Sequence, residues 1–578
     1  IYKNFTYKIN RLKKGRFVLL NKGFIGKLTG YLQRIFDEHF MFIMILFIIN
    51  SLTTAWSLFD EDKIDVAIGY IFSVWLGSLI ITCLIDLLPK RFLQKIVKTV
   101  LVIPIGIIFI GEFFTMYCYK ALIGTGIINS ALETNMREAT EFFSMYIGFS
   151  GVASVIVLIA LIVGLYKYNP LKKITLKQKT KSGIVCTLMV LSVFYTIRMF
   201  TVYTDFIWDD EVLPVQRVYA STSVAVRNMQ AYRELSSQVN SKVELTENKS
   251  EIKNIVFILG ESTSKGHMSL YGYPLETTPK MDKMAKNNEL YVFKDVISPH
   301  AYTIGSLREV FTFHNYEATN KWYECNNLFD IMKKAGYKTY WLSNQETSGQ
   351  WANVALAYAN RCDYKKFTGI RQSYEKSYRA DGELLPLLYE AMNNDSDKNF
   401  YVLHLMGCHG EYENRYTPDF AKFSDVDETK GIIKTQEAKT KRAQYDNAIL
   451  YNDTIVTQVM EAFKDKDAIV IYMPDHGEEV YDLKNFNGHS DDNPTKSMLE
   501  IPFVIYTTEK FKQKYPLVDA QIRASVDKKY MTDDLIHTIL DITGIKTPEF
   551  QETRSIINPY YNQERKRIFL DKDYDNWQ

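Results

Sequence analysis

Apolar residues are unevenly spread along this 578-residue chain. Before about residue 204 they form long runs separated by short charged stretches. Five runs, roughly 40–58, 65–88, 96–117, 145–166 and 183–204, are long enough to cross about 30 Å of hydrocarbon as helices. After residue 250 the runs are short and alternate in period. Strand patterns fall at 254–259, 290–296, 338–343, 399–405, 467–473 and 501–507. Helical patterns fall between and after them, at 279–287, 304–314, 326–335, 375–393, 436–465 and 531–541. Such alternation predicts an α/β domain with a largely parallel central sheet.

Charge orients the long runs. Lys3, Lys8, Arg11, Lys13, Lys14, Arg16, Lys22, Lys27 and Arg34 precede the first of them. The loop at 60–65 is acidic, whereas the second and fourth loops carry Lys90, Arg91 and Lys95, and Lys172, Lys173 and Lys177. Basic loops stay on the cytoplasmic side. Five spans then put everything after residue 204 outside, which in a Gram-negative cell is the periplasm. The expected organisation is a basic cytoplasmic arm at 1–39, a five-helix transmembrane domain at 40–204, an interfacial bridging helix and linker at 205–250, and a periplasmic domain at 251–578. Phe206, Ile207, Trp208 and Tyr219 suit the interface. The chain begins at Ile1 rather than at a Met, so its native start is expected to be missing or modified.

Bulk composition adds little. A net charge of +2 gives no electrostatic case for a nucleic-acid partner. The six cysteines form no CxxC pair, which argues against a cysteine zinc site. Cys325, Cys362 and Cys408 read as structural, with any disulfide among them left open.

Two strand ends carry the chemistry. Ile255 to Leu259 is an apolar strand followed by Gly260 and Glu261, and Ala468 to Pro474 is another, followed by Asp475, His476 and Gly477. Ligands of open α/β sheets bind beyond the carboxyl ends of strands. Carboxylates with an imidazole suit zinc or manganese, and Gly477 would permit a tight turn. His404 lies inside an apolar strand and reads as a core residue. His409 and His489 lie in loops past strand ends, where imidazoles can bind oxyanions or pass protons. Hydroxyl candidates for a nucleophile are Ser262, Thr263, Ser264 and Thr303. Thr303 precedes a helical pattern, where free backbone N–H groups favour an alkoxide and an anionic phosphate. It could equally serve only as a helix cap, and the residues alone leave both roles open.

Six stretches together resemble the membrane-bound phosphoethanolamine transferases of Gram-negative bacteria, whose catalytic domain is of the alkaline phosphatase and sulfatase superfamily. They are Gly260-Glu-Ser-Thr263, Ser269 to Pro279, Ala301-Tyr-Thr-Ile304, Met406-Gly-Cys-His-Gly410, Tyr445-Asp-Asn-Ala448 with Tyr451-Asn-Asp453, and Asp475-His-Gly-Glu478. The resemblance implies metal ligands at Glu261, Thr303, Asp475 and His476, with Zn2+ as the ion or Mn2+ in its place. It implies Thr303 as nucleophile, His409 and His489 on the substrate side, and a head-group segment in the third loop that includes Glu133 and Thr134.

The implied reaction takes phosphoethanolamine from phosphatidylethanolamine, through a phosphoethanolamine-threonine intermediate, to lipopolysaccharide. The segments Asp475 to Asp482 and Asp492 to Thr495 look like the branch that modifies core heptose. The close-spaced cysteine pairs usual in the lipid A branch are missing. A lipid A transferase and a phosphoglycerol transferase of the same superfamily are the alternatives. The implied protein is monomeric, sits in the inner membrane and works among membrane lipids, with no nucleic-acid partner.

Overall fold

The computed structural model describes residues 22–60, 62–119, 121–124, 127–128, 131, 159, 178–204, 212–237, 243–345, 354–368, 380–424 and 432–577. The chain divides into two units, residues 1–124 with 149–221, and residues 125–148 with 222–578.

In the first unit the apolar runs are helices. They are α1 (Lys22–Asp60), α2 (Ile64–Asp86), α3 (Arg91–Tyr119) and α4 (Gln178–Val202), followed by α5 (Pro214–Ser237), which from Thr222 onward belongs to the second unit. Among the described residues, four helices are long and apolar enough to cross a membrane: Lys27–Asp60, Ile64–Asp86, Arg91–Tyr117 and Gly183–Val202. The expected span at 145–166 lies almost wholly outside the described residues. Helix α1 begins well before its apolar run. Its early turns bury Ile35 with Tyr31, Leu32 and Phe36 against Leu79 and Trp75, and Arg34 bonds Asp86 at 2.5 Å.

The first unit also buries an ion pair that hydropathy hides. Arg217 at the start of α5 donates from Nε to Glu112 Oε1 at 2.8 Å and from Nη2 to Glu112 Oε2 at 2.9 Å. Thr53 donates to Glu112 at 2.5 Å, and Arg217 also reaches Thr54 Oγ1 and the Val212 carbonyl, each at 2.9 Å. Glu112 is fully buried. A charge in this setting persists only when paired and bonded on every side.

In the second unit a seven-stranded sheet carries everything else. Its strands are β1 (Asn254–Gly260), β2 (Leu290–Phe293), β3 (Lys338–Ser343), β4 (Tyr364–Phe367), β5 (Asn399–His404), β6 (Ala468–Pro474) and β7 (Phe503–Thr507). Their order across the sheet is β2-β7-β6-β1-β5-β3-β4. The sheet is mixed, because β7 runs antiparallel to both β2 and β6 while the other neighbours pair in parallel. A short hairpin and a single helical turn lie between β6 and β7.

Strand β1 sits mid-sheet and is buried along its whole length. Its side chains alternate between two cores. Ile255, Phe257 and Leu259 join one, and Val256 and Ile258 the other. Ile469, Ile471 and Met473 of β6 likewise oppose Ala468, Val470 and Tyr472. That period of two, apolar on both faces, is why these strands read as unbroken apolar runs. Strand β4 escaped the sequence reading because it is an edge strand whose residues include Lys365 and Lys366, and charge on an edge discourages further pairing. Part of the stretch read as a linker also pairs, Glu247–Asn248 with Ile545–Lys546.

The Arg217–Glu112 pair makes a measurable prediction. Glu112→Ala leaves the buried Arg217 guanidinium without its carboxylate and should destabilise the detergent-solubilised protein by about 3–5 kcal/mol. The double replacement Glu112→Leu with Arg217→Met should cost less than the single one when unfolding midpoints are compared.

Candidate active site

The parallel register of β1 and β6 builds the site. Gly260 pairs with Pro474, so the next residues, Glu261 and Asp475, emerge side by side. Both are 1% exposed and His476 is fully buried. His476 Nε2 lies 3.3 Å from Glu261 Oε1 and 3.5 Å from Asp475 Oδ2. Its Nδ1 bonds the Gly477 carbonyl at 2.7 Å, which turns Nε2 toward the carboxylates. Gly477 has a different job from the turn expected of it. A Cβ there would stand 2.2 Å from the Ser497 carbonyl oxygen, so the position is glycine to admit a crossing backbone.

Thr303 joins this group from a separate element. It is the first residue of helix α6 (Thr303–Val310), and Tyr302 is the N-cap, with no side-chain capping bond. The Thr303 hydroxyl is therefore not the cap. It donates to Glu261 at 3.2 and 3.3 Å and lies 3.5 Å from His476 Nε2. The other hydroxyls are engaged locally. Ser262 Oγ donates to Glu261 Oε1 at 2.9 Å, Thr263 Oγ1 donates to the Glu261 carbonyl at 3.0 Å, and Ser264 Oγ accepts from Gly266 N–H at 3.3 Å. All three residues are at most 1% exposed. Ser262 holds φ at 51°, a left-handed backbone that costs a non-glycine residue about 1–3 kcal/mol and is typical of functional sites.

Electrostatics follow from burial. Burial alone would raise Glu261, but His476, with His409 and His489 beyond it, pulls it well below the usual carboxylate value. Asp475 is pushed up to about 8 by burial and by the Glu261 charge, with His476 opposing. Burial would lower His476, yet the charges of Asp475 and Glu261 lift it to about 10. The centre is short of positive charge. Asp475 Oδ2 is buried with no hydrogen-bond partner among the described residues. Ligand atoms of Glu261, Asp475 and His476 lie within 4.8 Å of one another. Two carboxylates, one imidazole and a hydroxyl around an orphaned oxygen fit a divalent zinc or manganese ion.

The histidine loops close one side. The rings of His476 and His489 are 4.1 Å apart, and those of His409 and His489 are 6.1 Å apart. Glu478 fixes His489 Nδ1 at 2.7 Å and accepts the Tyr412 hydroxyl at 2.7 Å. His404 is a core residue, fully desolvated beside Ser343, and burial lowers it to about 4 against the pull of Glu261. Glu133 and Thr134 lie outside the described residues. Cys325, Cys362 and Cys408 are all free thiols.

Sequence reading missed several residues. Gln345 donates to Glu261 Oε2 at 3.2 Å and to the Leu405 carbonyl at 3.1 Å. Asp381 accepts the Met406 and Gly407 N–H groups at 2.8 and 2.9 Å, fixing the turn before His409. Asp492 accepts the Ile127 N–H and is raised to about 6 by burial and Asp491. His267, inside no quoted motif, lies between Asp446 at 2.7 Å and Asp482 at 2.8 Å. Asp446 and Asp482 stood in quoted motifs without a role, which was the available signal.

Known proteins resemble this chain. The sulfatase family model matches residues 253–545, and the model described as phosphoethanolamine transferase EptA/EptB matches residues 78–229. Phosphoethanolamine transferase EptC of Escherichia coli K12 is 30% identical over 509 residues, which span 83% of this chain and 85% of that one. The crystal structure of the C-terminal periplasmic domain of Escherichia coli EptC in complex with Zn superposes with a TM-score of 0.52 at 33% identity, over 56% of this chain and 91% of that one. The integral membrane lipooligosaccharide phosphoethanolamine transferase A of Neisseria meningitidis superposes with a TM-score of 0.65 over 89% of this chain and 97% of that one. At 20% identity that last likeness speaks for the fold alone.

The His267 cluster predicts a pH dependence. Burial would lower His267, but the charges of Asp482 and Asp446 raise it to about 10. An imidazole raised above its unfolded value of about 6.5 stabilises fully below that pH. The contribution is lost as pH rises from about 6.5 to about 10, on the order of a few kcal/mol. The unfolding midpoint of the wild type should fall across this window more steeply than that of His267→Gln.

Proposed function

The chain belongs to the phosphoethanolamine transferases of the alkaline phosphatase and sulfatase superfamily, and on that premise we propose that it moves phosphoethanolamine from phosphatidylethanolamine to lipopolysaccharide, with Thr303 as nucleophile. The observation that carries this reading is the Thr303 hydroxyl. It stands at a helix N-terminus with no capping duty and faces Glu261 and His476.

Glu261, Asp475, His476 and the Thr303 hydroxyl would hold a zinc ion, or manganese in its place. Such an ion, when bound, supplies a Lewis acid for the phosphoryl oxygens and lowers the pKa of the threonine hydroxyl. The rest falls to the chain's own groups. Thr303 gives up its proton to the Glu261 carboxylate, and its oxygen attacks the phosphorus. The bond from phosphorus to the diacylglycerol oxygen breaks, and diacylglycerol leaves protonated into the membrane. His409 and His489 stand where imidazoles bind phosphoryl oxygens or pass that proton. Free N–H groups at the start of α6 favour the same oxygens. A hydroxyl or phosphate of the acceptor then attacks phosphorus and gives up its proton, which passes to the Thr303 oxygen as that oxygen leaves. We assign core heptose as the acceptor on the motifs around Asp475 and Asp492. A lipid donor and a lipid leaving group explain why a transferase carries apolar helices, and the inner membrane is its place, with the second unit in the periplasm.

Intact-mass measurement tests the threonine. Wild-type protein incubated with phosphatidylethanolamine should gain one phosphoethanolamine, and Thr303→Ala should not. Activity that survives in Thr303→Ala, with no adduct ever seen on the wild type, would remove the mechanism. Head-group-labelled phosphatidylglycerol, supplied in parallel, should transfer no label. Chelation should abolish transfer, and added Zn2+ should restore it; undiminished transfer after complete metal removal would exclude the ion.

A further inference from the structure

The turn that carries Thr303 is held by a residue of the histidine loop. Asp491 lies two residues past His489 and is 8% exposed. Its Oδ1 accepts the Ala301 N–H at 2.7 Å, and its Oδ2 bonds His300 Nδ1 at 2.7 Å. One carboxylate thus grips both backbone and side chain of the segment just before α6. The segment is tied to α6 as well. Ser306 Oγ donates to the His300 carbonyl at 3.2 Å, and Ser298 Oγ donates to it at 2.8 Å. His300 Nε2 is 3.7 Å from Glu309 Oε1, and that carboxylate also faces His314 Nδ1 at 3.3 Å. Gly305 makes room for the imidazole, since a Cβ there would stand 2.5 Å from His300 Cγ. Burial would push His300 down, but Asp491 and Glu309 draw it well above its ordinary value, so its bond to Asp491 is charge-assisted.

We propose that Asp491, acting through His300 and the Ala301 N–H, is a positioning residue that holds the Thr303 hydroxyl in register with the His489 imidazole. The inference rests on Thr303 being the nucleophile. Neither Asp491 nor His300 belongs to the donor group around Asp475. Their shared bond joins two loops far apart in sequence, one bearing Thr303 and the other His489. Covalent attack tolerates little misplacement, and a shift of about 1 Å can cost about 100-fold in rate.

The test uses the full chain in detergent with saturating phosphatidylethanolamine. The rate of adduct formation is followed by intact mass, together with the lipid concentration for half-maximal rate, the bound zinc and the unfolding midpoint. Asp491→Asn should slow adduct formation by about 10- to 100-fold. Its half-maximal lipid concentration should stay within about twofold of the wild type and its zinc content should be unchanged. His300→Ala should show the same loss. His300→Asn, whose amide nitrogen can replace Nδ1 as donor, should recover most of it. If Asp491→Asn does not fold, the His300 pair decides alone. The proposal is overturned by an unchanged rate, by a loss seen only as a higher lipid requirement, or by His300→Asn performing no better than His300→Ala. A wild type that forms no adduct at Thr303 overturns the nucleophile assignment instead, and Thr303→Ala in the same assay tells the two failures apart.

Discussion

Two carboxylates buried side by side cannot both stay ionised without positive charge between them. Glu261 and Asp475 are in that position because two central parallel strands end in register. The sheet is too well packed for either strand to slip, since a one-residue shift would exchange the side chains facing its two cores. The structure answers the deficit with His476 and leaves one Asp475 oxygen without a hydrogen bond among the described residues. In the proposed reading a divalent cation would be the fuller answer, with the Thr303 hydroxyl among its donors.

Most of the surrounding detail keeps that arrangement from relaxing. Ser262 accepts a strained backbone, and the Tyr445 hydroxyl donates to its carbonyl at 2.7 Å. Gln345 restrains one Glu261 oxygen, and Asp381 restrains the turn that leads to His409. Glu478 orients His489. The long helix Gln436–Ala462 supplies both Tyr445 and Asp446, so one element braces the Glu261 turn and closes the His267 cluster. The quoted motifs therefore divide in two. Some of their residues face the reacting centre, and others hold the first group still. The first unit obeys the same rule in a drier setting, where Glu112 survives because Arg217 and Thr53 saturate it.

What the sequence alone determined was whatever depends on local pattern. Long apolar runs set off by basic loops identified membrane helices, because hydrocarbon admits little else. Apolar strands buried on both faces identified the sheet, and the residues just past their ends identified Glu261, Asp475 and His476. The charged edge strand β4, the reversed β7 and the early start of α1 were not legible. Edge pairing, strand direction and helix docking depend on neighbours remote in sequence. The residues alone left Thr303, Ser262 and Thr263 open as nucleophile, and only the resemblance singled out Thr303; its placement beside Glu261 is a tertiary fact. All of these hydroxyls lie near strand ends or helix starts in the sequence, but Ser262 and Thr263 bond within their own turn, whereas Thr303 comes from a separate element to face both Glu261 and His476. The links of Asp491 to Ala301 and of His267 to Asp446 are likewise tertiary, because they join segments well over a hundred residues apart. Periodicity carries no information across such a distance. Only packing brings these segments together.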